Sequence, residues 1–143
     1  MTIAAILRGK GSQVHTLTRN QTIHDAAREL NDRKVGALVV VDEAGAPCGI
    51  LSERDIVRLA AEHGADGLNL KVQDAMTRSV QFASPEETVD AALERMTDRR
   101  IRHLPVLSGG KLAGVVSIGD LVKKKIVDAL AEAHAVREFF TAQ

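Results

Sequence analysis

Apolar residues recur along the chain in two alternating rhythms. After Thr22, the positions Ile23, Ala26, Ala27 and Leu30 have the spacing of one helix face, and the spacing returns after Thr88 as Val89, Ala92, Leu93 and Met96. β-Branched runs follow at residues 36–41 and 48–51, then at 103–107 and 112–116. Turn-rich residues separate the members of each pair, which predicts two adjacent strands twice over. Ser52 and Ser117 each end a strand and open a helix, with apolar positions Ile56, Val57, Leu59, Ala60 and Leu121, Val122, Ile126, Val127. Short extended pieces at 14–17 and 80–83 precede each set.

These rhythms are one pattern written twice. Thr22-Ile23 returns as Thr88-Val89, Leu30 as Met96, Val35 as Ile101 and Leu38-Val39-Val40 as Leu104-Pro105-Val106, all at an offset of 66. One residue is then lost in the turn, and Gly49-Ile50-Leu51-Ser52-Glu53-Arg54-Asp55-Ile56 returns as Gly114-Val115-Val116-Ser117-Ile118-Gly119-Asp120-Leu121 at an offset of 65. Loops absorb length changes and cores do not. Each copy therefore reads β-α-β-β-α, an α+β class. A copy of about 50 residues hardly covers both faces of a three-stranded sheet, so the two are expected to pack on one another. The expected division is 1–71, with a short N-terminal helix at 3–8 and a linker at 63–70, and 72–143, with a helical extension. From 118 to 140 the last helix continues, carrying Ile126, Leu130, Ala133, Val136 or Arg137, and Phe140 on one stripe. Such a stripe needs a further surface, and a homodimer contact is the expected one.

Composition narrows the function classes. The 143 residues are 45% apolar and 27% charged, as in ordinary globular proteins. Nineteen Lys and Arg balance nineteen Asp and Glu, so the field that gathers nucleic-acid phosphates is missing. Three Phe without Tyr or Trp offer few platforms for base stacking. A lone Cys48 and an N-terminus without a leader pattern fit a reducing cytoplasm, and no apolar run approaches the ~20 residues of a membrane span.

The helix starts Thr22-Ile23-His24-Asp25-Ala26 and Thr88-Val89-Asp90-Ala91-Ala92, the strand Leu104-Pro105-Val106, and the doubled Gly-apolar-apolar-Ser-x-x-Asp resemble a tandem pair of cystathionine-β-synthase-type (CBS) domains, a Bateman module. The resemblance covers about residues 12–128 and is specific because the arrangement occurs twice in register. It implies a body of pseudo-twofold symmetry with two clefts between the copies. It also implies adenosine-containing ligands there: AMP, ADP, ATP, NAD or S-adenosylmethionine.

Residue chemistry at the helix starts fits that implication. Ser52 with Asp55, and Ser117 with Asp120, put a hydroxyl, a carboxylate and free N–H groups at a helix N-terminus, where a carboxylate accepts two hydrogen bonds from a ribose and the helix end favours phosphate. The same spacing is that of a capping box, which needs no ligand. By resemblance, Arg102 and His103 face phosphate, and Arg54 is a further candidate; its counterpart Gly119 has no side chain, so the clefts are expected to be unequal. Arg99 and Arg100, like Lys123-Lys124-Lys125, read as solvated charge. The walls of an adenine slot are expected, again by resemblance, at Val14, Thr16, Ile50, Val80, Phe82 and Val115. Five His at 15, 24, 63, 103 and 134 show no metal-ligand spacing, and Gly9-Lys10-Gly11-Ser12 lacks the strand that a phosphate loop requires. No catalytic metal, cofactor or nucleophile is expected. The sequence reads as a non-catalytic sensor for an adenine nucleotide, working on its own dimer or on an unidentified effector protein; the alternative is a structural adaptor without nucleotide affinity.

Overall fold

The computed structural model describes residues 1–11 and 13–142; Ser12, which closes the Gly9-Lys10-Gly11-Ser12 stretch, and Gln143, the last residue of the expected second domain, lie outside the described residues. The elements run α1 (Ile3–Lys10), β1 (Thr16–Thr18), α2 (Ile23–Arg33), β2 (Ala37–Val41), β3 (Pro47–Ser52), α3 (Glu53–His63), α4 (Val72–Ala75), α5 (Val89–Arg99), β4 (His103–Ser108), β5 (Lys111–Ser117) and α6 (Ile118–Thr141). The fold is mixed α+β, with one three-stranded sheet in the order β1-β2-β3 and one two-stranded sheet, β4-β5. Among the described residues no helix is long and apolar enough to cross a membrane.

The duplication extends to single hydrogen bonds. Glu53 N donates to Gly36 O at 2.9 Å, and at the matching place Ile118 N donates to Arg102 O at 2.8 Å. These bonds tie each long helix to the start of the strand beside it. Both hairpins shift register once, between Val40 and Val41 and between Val106 and Leu107. Lys34 and Arg100, which end α2 and α5, share the left-handed conformation with φ of 57° and 54°, an uncommon state for a residue with a side chain. It lets each helix stop and the chain turn directly into its strand.

Three features differ from the sequence expectation. The first strand of the first copy is Thr16–Thr18, slightly later than 14–17, because Thr16, Leu17 and Thr18 are the residues in parallel register with Val39, Val40 and Val41. In the second copy no strand forms at 80–83. There, Ala83 makes a lone parallel bridge, donating to Pro105 O at 2.9 Å and accepting from Leu107 N at 3.0 Å. Pro105 stands where the first copy has Val39; it carries no N–H, so the next rung of the ladder cannot form. Residues 63–70 are not an open linker: Gly64–Asn69 forms a tight 3₁₀ turn whose Gly67 lies so close to α3 that a Cβ would stand 2.9 Å from the Leu59 carbonyl oxygen.

The cores do not follow the chain division at 71/72. One gathers Leu17, Ile23, Leu30, Leu38, Val40 and Leu51 of the first copy with Val72, Ala75 and Met76 from α4. The other gathers Val89, Met96, Leu104, Val106, Val116 and Leu121 of the second copy with Ile3 and Ile6 from α1. The two lead-in helices are thus exchanged, and they dock alike. Val72 N donates to Gln21 O at 2.8 Å, while Ile3 N donates to Glu87 O at 2.9 Å. Gly49 and Gly114 make room for these crossings, since a Cβ would stand 2.5 Å from Met76 Sδ at the first and 2.8 Å from Leu7 Cδ2 at the second. Exchange joins the two copies into one body with a cleft between them.

Candidate functional site

The geometry at the start of α3 follows from a complete capping box. Ser52 adopts the extended conformation that ends β3, its hydroxyl accepts from Asp55 N, and Asp55 Oδ2 accepts in return from Ser52 N at 2.9 Å. Asp55 Oδ2 also accepts from the Ser52 hydroxyl at 3.2 Å, and Oδ1 accepts from Arg58 Nη1 at 3.0 Å. Asp55 is the one buried charged residue of the described chain, 7% exposed. A carboxylate offers about four acceptor positions. Three are used, and the fourth is on Oδ1.

Above this helix start opens a cavity of about 260 Å³ between the copies. Ile50, Ser52, Glu53, Arg54 and Asp55 come from the first copy, Thr77, Ser79, Val80 and Gln81 from the connecting segment, and Arg100, Ile101, Arg102 and His103 from the second. Thr77 is fixed against Ile50 by two backbone hydrogen bonds of 2.9 and 3.0 Å, so the connecting segment forms a firm wall. Arg54, Arg100 and Arg102 are exposed, and among the described residues no ion pair engages any of them. Asp55 is already matched by Arg58. Three guanidinium groups therefore face the cavity against one uncompensated carboxylate, Glu53.

His103 differs from that group. Its imidazole packs against Gly36, where a Cβ would lie 3.1 Å from Nε2. Burial, the largest influence, lowers its pKa below the ordinary 6.5, and the opposing pull of Glu53 and Asp120 does not reverse the shift. Burial therefore favours the neutral imidazole in the cavity without ligand. In that form it can donate or accept a hydrogen bond at the cavity wall, and an anionic ligand beside it would favour the imidazolium.

The start of α6 repeats the capping box with a different outcome. Ser117 N donates to Asp120 Oδ2 at 2.9 Å, and Asp120 N donates to the Ser117 hydroxyl at 3.1 Å. The same Oδ2 also receives Lys10 Nζ at 2.8 Å, and Lys10 Nζ donates to the Val115 carbonyl at 2.9 Å. Burial alone would raise the Asp120 carboxyl, but Lys10 and the hydrogen bonds from Ser117 outweigh it and hold the group below its ordinary value. The adjoining cavity is small, about 100 Å³, and is lined by Leu7, Lys10, Val14, His15, Leu38 and Val115 among others.

Of the residues expected from sequence to form a site, Ser52, Asp55, Arg54, Arg102, His103, Ile50 and Val80 meet around the larger cavity. Val14 and Val115 line the smaller one, whereas Ser117, Asp120, Thr16 and Phe82 line neither. Thr16 is exposed on β1, and the Phe82 carbonyl accepts from Arg95 Nη2 at 2.7 Å. Arg100, read from sequence as solvated charge, lines the larger cavity because the left-handed turn that ends α5 sits on its rim.

A family model described as CBS domain matches twice, at residues 11–62 and 72–126. The mitochondrial CBS domain-containing protein CBSX3 of Arabidopsis thaliana is 38% identical over 130 residues; the match covers 85% of this chain and 63% of that protein's length. The crystal structure of a CBS-domain containing protein from Agrobacterium tumefaciens is 41% identical with a TM-score of 0.84, over 87% of this chain and 92% of that one. The CBS domain pair of protein MJ0100, in complex with 5′-methylthioadenosine and S-adenosyl-L-methionine, is 28% identical with a TM-score of 0.75, over 86% of this chain and 98% of that one. Duplicated capping boxes, exchanged lead-in helices and a cleft between the copies thus agree with the family match: this chain belongs to the CBS domain family and carries two CBS domains in tandem.

Proposed function

We propose that the protein is a non-catalytic regulatory module, working in a reducing cytoplasm, that binds an adenosine-containing nucleotide such as AMP, ADP, ATP or NAD in the larger cleft. The observation that carries this reading is the set of three arginines, Arg54, Arg100 and Arg102, without an ion pair among the described residues, around a cavity that also holds a helix start and its carboxylate. Such a set has little structural use, and Arg54 is the second residue of α3, where the helix dipole disfavours a cation. An anionic ligand at the same end reverses that sign. A ribose hydroxyl would take the open acceptor position on Asp55 Oδ1, a second would replace the Ser52 hydroxyl at Oδ2, and Ile50 and Val80 would flank the base. The adenosine ligands of MJ0100 support the choice of class.

Calorimetric titration with AMP, ATP, NAD and S-adenosylmethionine tests the reading. Heat is expected with the anionic nucleotides and less with the cationic sulfonium compound. Asp55→Asn should weaken binding by about 10- to 100-fold, since a hydrogen bond to a charged group contributes roughly 1.5–3 kcal/mol. No heat with any of the four would leave an adaptor without ligand affinity.

The working unit is proposed to be a homodimer built on α6. This helix has 24 residues and buries only Leu121, while Ile126, Leu130, Val136 and Phe140 are all more than half exposed. An isolated apolar stripe of this length gains nothing from its own fold. Lys123 lies in the first half of α6 and Glu132 further along, neither ion-paired among the described residues, and an antiparallel second copy would set these opposite charges together. Sedimentation equilibrium should give a dimer that Leu130→Glu with Phe140→Glu converts to a monomer; a monomeric wild type would refute the arrangement. An effector protein would then read the change that ligand binding makes in this pair, and binding shifts that equilibrium only by its difference in affinity for the two states.

A further inference from the structure

The two helix-start carboxylates are chemically equivalent in sequence and different in the fold. At the first, Asp55 takes its cation from within its own helix, as Arg58, and the carbonyl of Ile50 is satisfied by the backbone of Thr77. At the second, the position matching Arg58 is Lys123, which makes no such contact, and Lys10 arrives from α1 instead, 2.8 Å from Asp120 and 2.9 Å from the Val115 carbonyl, the counterpart of Ile50. The cause is helix length. The lead-in helix α4 has four residues and then yields to an extended segment, whereas α1 has eight and runs on for a further turn, which carries Lys10 over the second helix start. The cavity beside it is correspondingly reduced, about 100 Å³ against about 260 Å³.

We infer that Lys10 is an internal occupant of the second repeat's ligand position, so that the chain takes one nucleotide, in the cleft at Asp55, and keeps the site at Asp120 closed. The ammonium group supplies what a ligand would supply there: donors to the carboxylate and to the strand carbonyl. Lys10 is in this sense a specificity-determining residue, setting the number of ligands per chain. The class that would enter once it is removed is an uncharged ribonucleoside, because Gly119 replaces Arg54 beside Asp120, and Gly36 and Ala37 of the first copy hold the places that Arg102 and His103 hold at the larger cleft.

The inference rests on the nucleotide reading of the larger cleft, and one set of titrations separates the two. Adenosine is titrated into the full chain, into Lys10→Ala and into Lys10→Ala with Asp120→Asn, with 2′-deoxyadenosine as the comparison ligand. Lys10→Ala should bind one more adenosine per chain than the wild type. That extra site should be absent with 2′-deoxyadenosine and in the double variant, and Lys10→Arg, which keeps the cation, should behave as wild type. Equal stoichiometry in wild type and Lys10→Ala, or weaker binding on removal of Lys10, would overturn the inference while leaving the first cleft untouched. Gain of a site in Lys10→Ala with a wild type that binds no adenosine compound would instead remove the reading of the first cleft and keep this one. The Lys10 ammonium is largely solvated and the pair is only half-buried, so Lys10→Ala should retain the wild-type circular dichroism and lose only a small, acid-sensitive part of its stability.

Discussion

Arg54→Ala combined with Arg102→Ala is expected to lower ATP affinity by about 100-fold or more while leaving the thermal midpoint nearly unchanged. Each guanidinium would lose a charge-assisted hydrogen bond to phosphate worth roughly 1.5–3 kcal/mol, and about 1.4 kcal/mol is tenfold in affinity. Stability should hold because both side chains are exposed and, among the described residues, unpaired. The one structural bond at Arg102 uses its carbonyl oxygen, which accepts from Ile118 N at 2.8 Å and survives the substitution. At Arg54, alanine is a better helix former and removes a cation from a positive helix end. Adenosine, which has no phosphate, should bind the double variant and the wild type equally. An equal loss for adenosine and ATP would show that the arginines shape the cleft instead of meeting phosphate. Loss of salt dependence along with affinity would agree with the charge argument, since screened Coulomb attraction is what the two residues supply.

Much of the fold was legible in the sequence because the duplication doubles every weak signal. Ser52 and Asp55, or Ser117 and Asp120, would each be an ordinary helix cap if met alone; meeting both in register established the strand-to-helix junctions, and both capping boxes are present. The missing strand of the second copy was also written in the chain, in Pro105, but the repeat alignment to Val39 concealed it: similarity of pattern says nothing about a lost N–H. The exchange of α1 and α4 carried no readable signal. Thr2-Ile3-Ala4-Ala5-Ile6-Leu7 and Lys71-Val72-Gln73-Asp74-Ala75-Met76 are too short and too different for periodicity to pair them, and their docking depends on bonds far along the chain, such as Ile3 N to Glu87 O. Lys10 was illegible for the same reason, meeting a carboxylate 110 residues away. The lowered pKa of His103 follows from its burial against Gly36, and burial of that kind is a property of the folded body alone.

The exchange makes α1 a structural part of the second repeat, and its removal should therefore unfold a distant region of the chain. Ile3→Ala is expected to destabilise the protein by about 2–5 kcal/mol in chemical denaturation, the range for truncating a large aliphatic side chain in a core. Ile3 is 0% exposed and packs with Val89, Met96, Leu104 and Leu121, so the cavity would open inside the second copy even though the substitution lies near the N-terminus. Amide exchange distinguishes this from simple fraying of a terminal helix. Protection should fall in α5, β4 and β5, with β2 and β3 affected less, because α1 shares no core with the first copy. Loosening α1 also loosens Lys10, so Ile3→Ala should raise the titration point of Asp120 toward the ordinary carboxylate value as the ammonium withdraws. Asp120 in the wild type has a lowered pKa, so the Lys10 contact stabilises the folded state above the unfolded carboxylate's pKa, and this contribution is lost as pH falls through the folded value. In Ile3→Ala that acid-dependent part of the stability should shrink along with the midpoint. Loss of protection confined to α1 itself, with Asp120 titrating as before, would show that the second repeat closes its core without the borrowed helix.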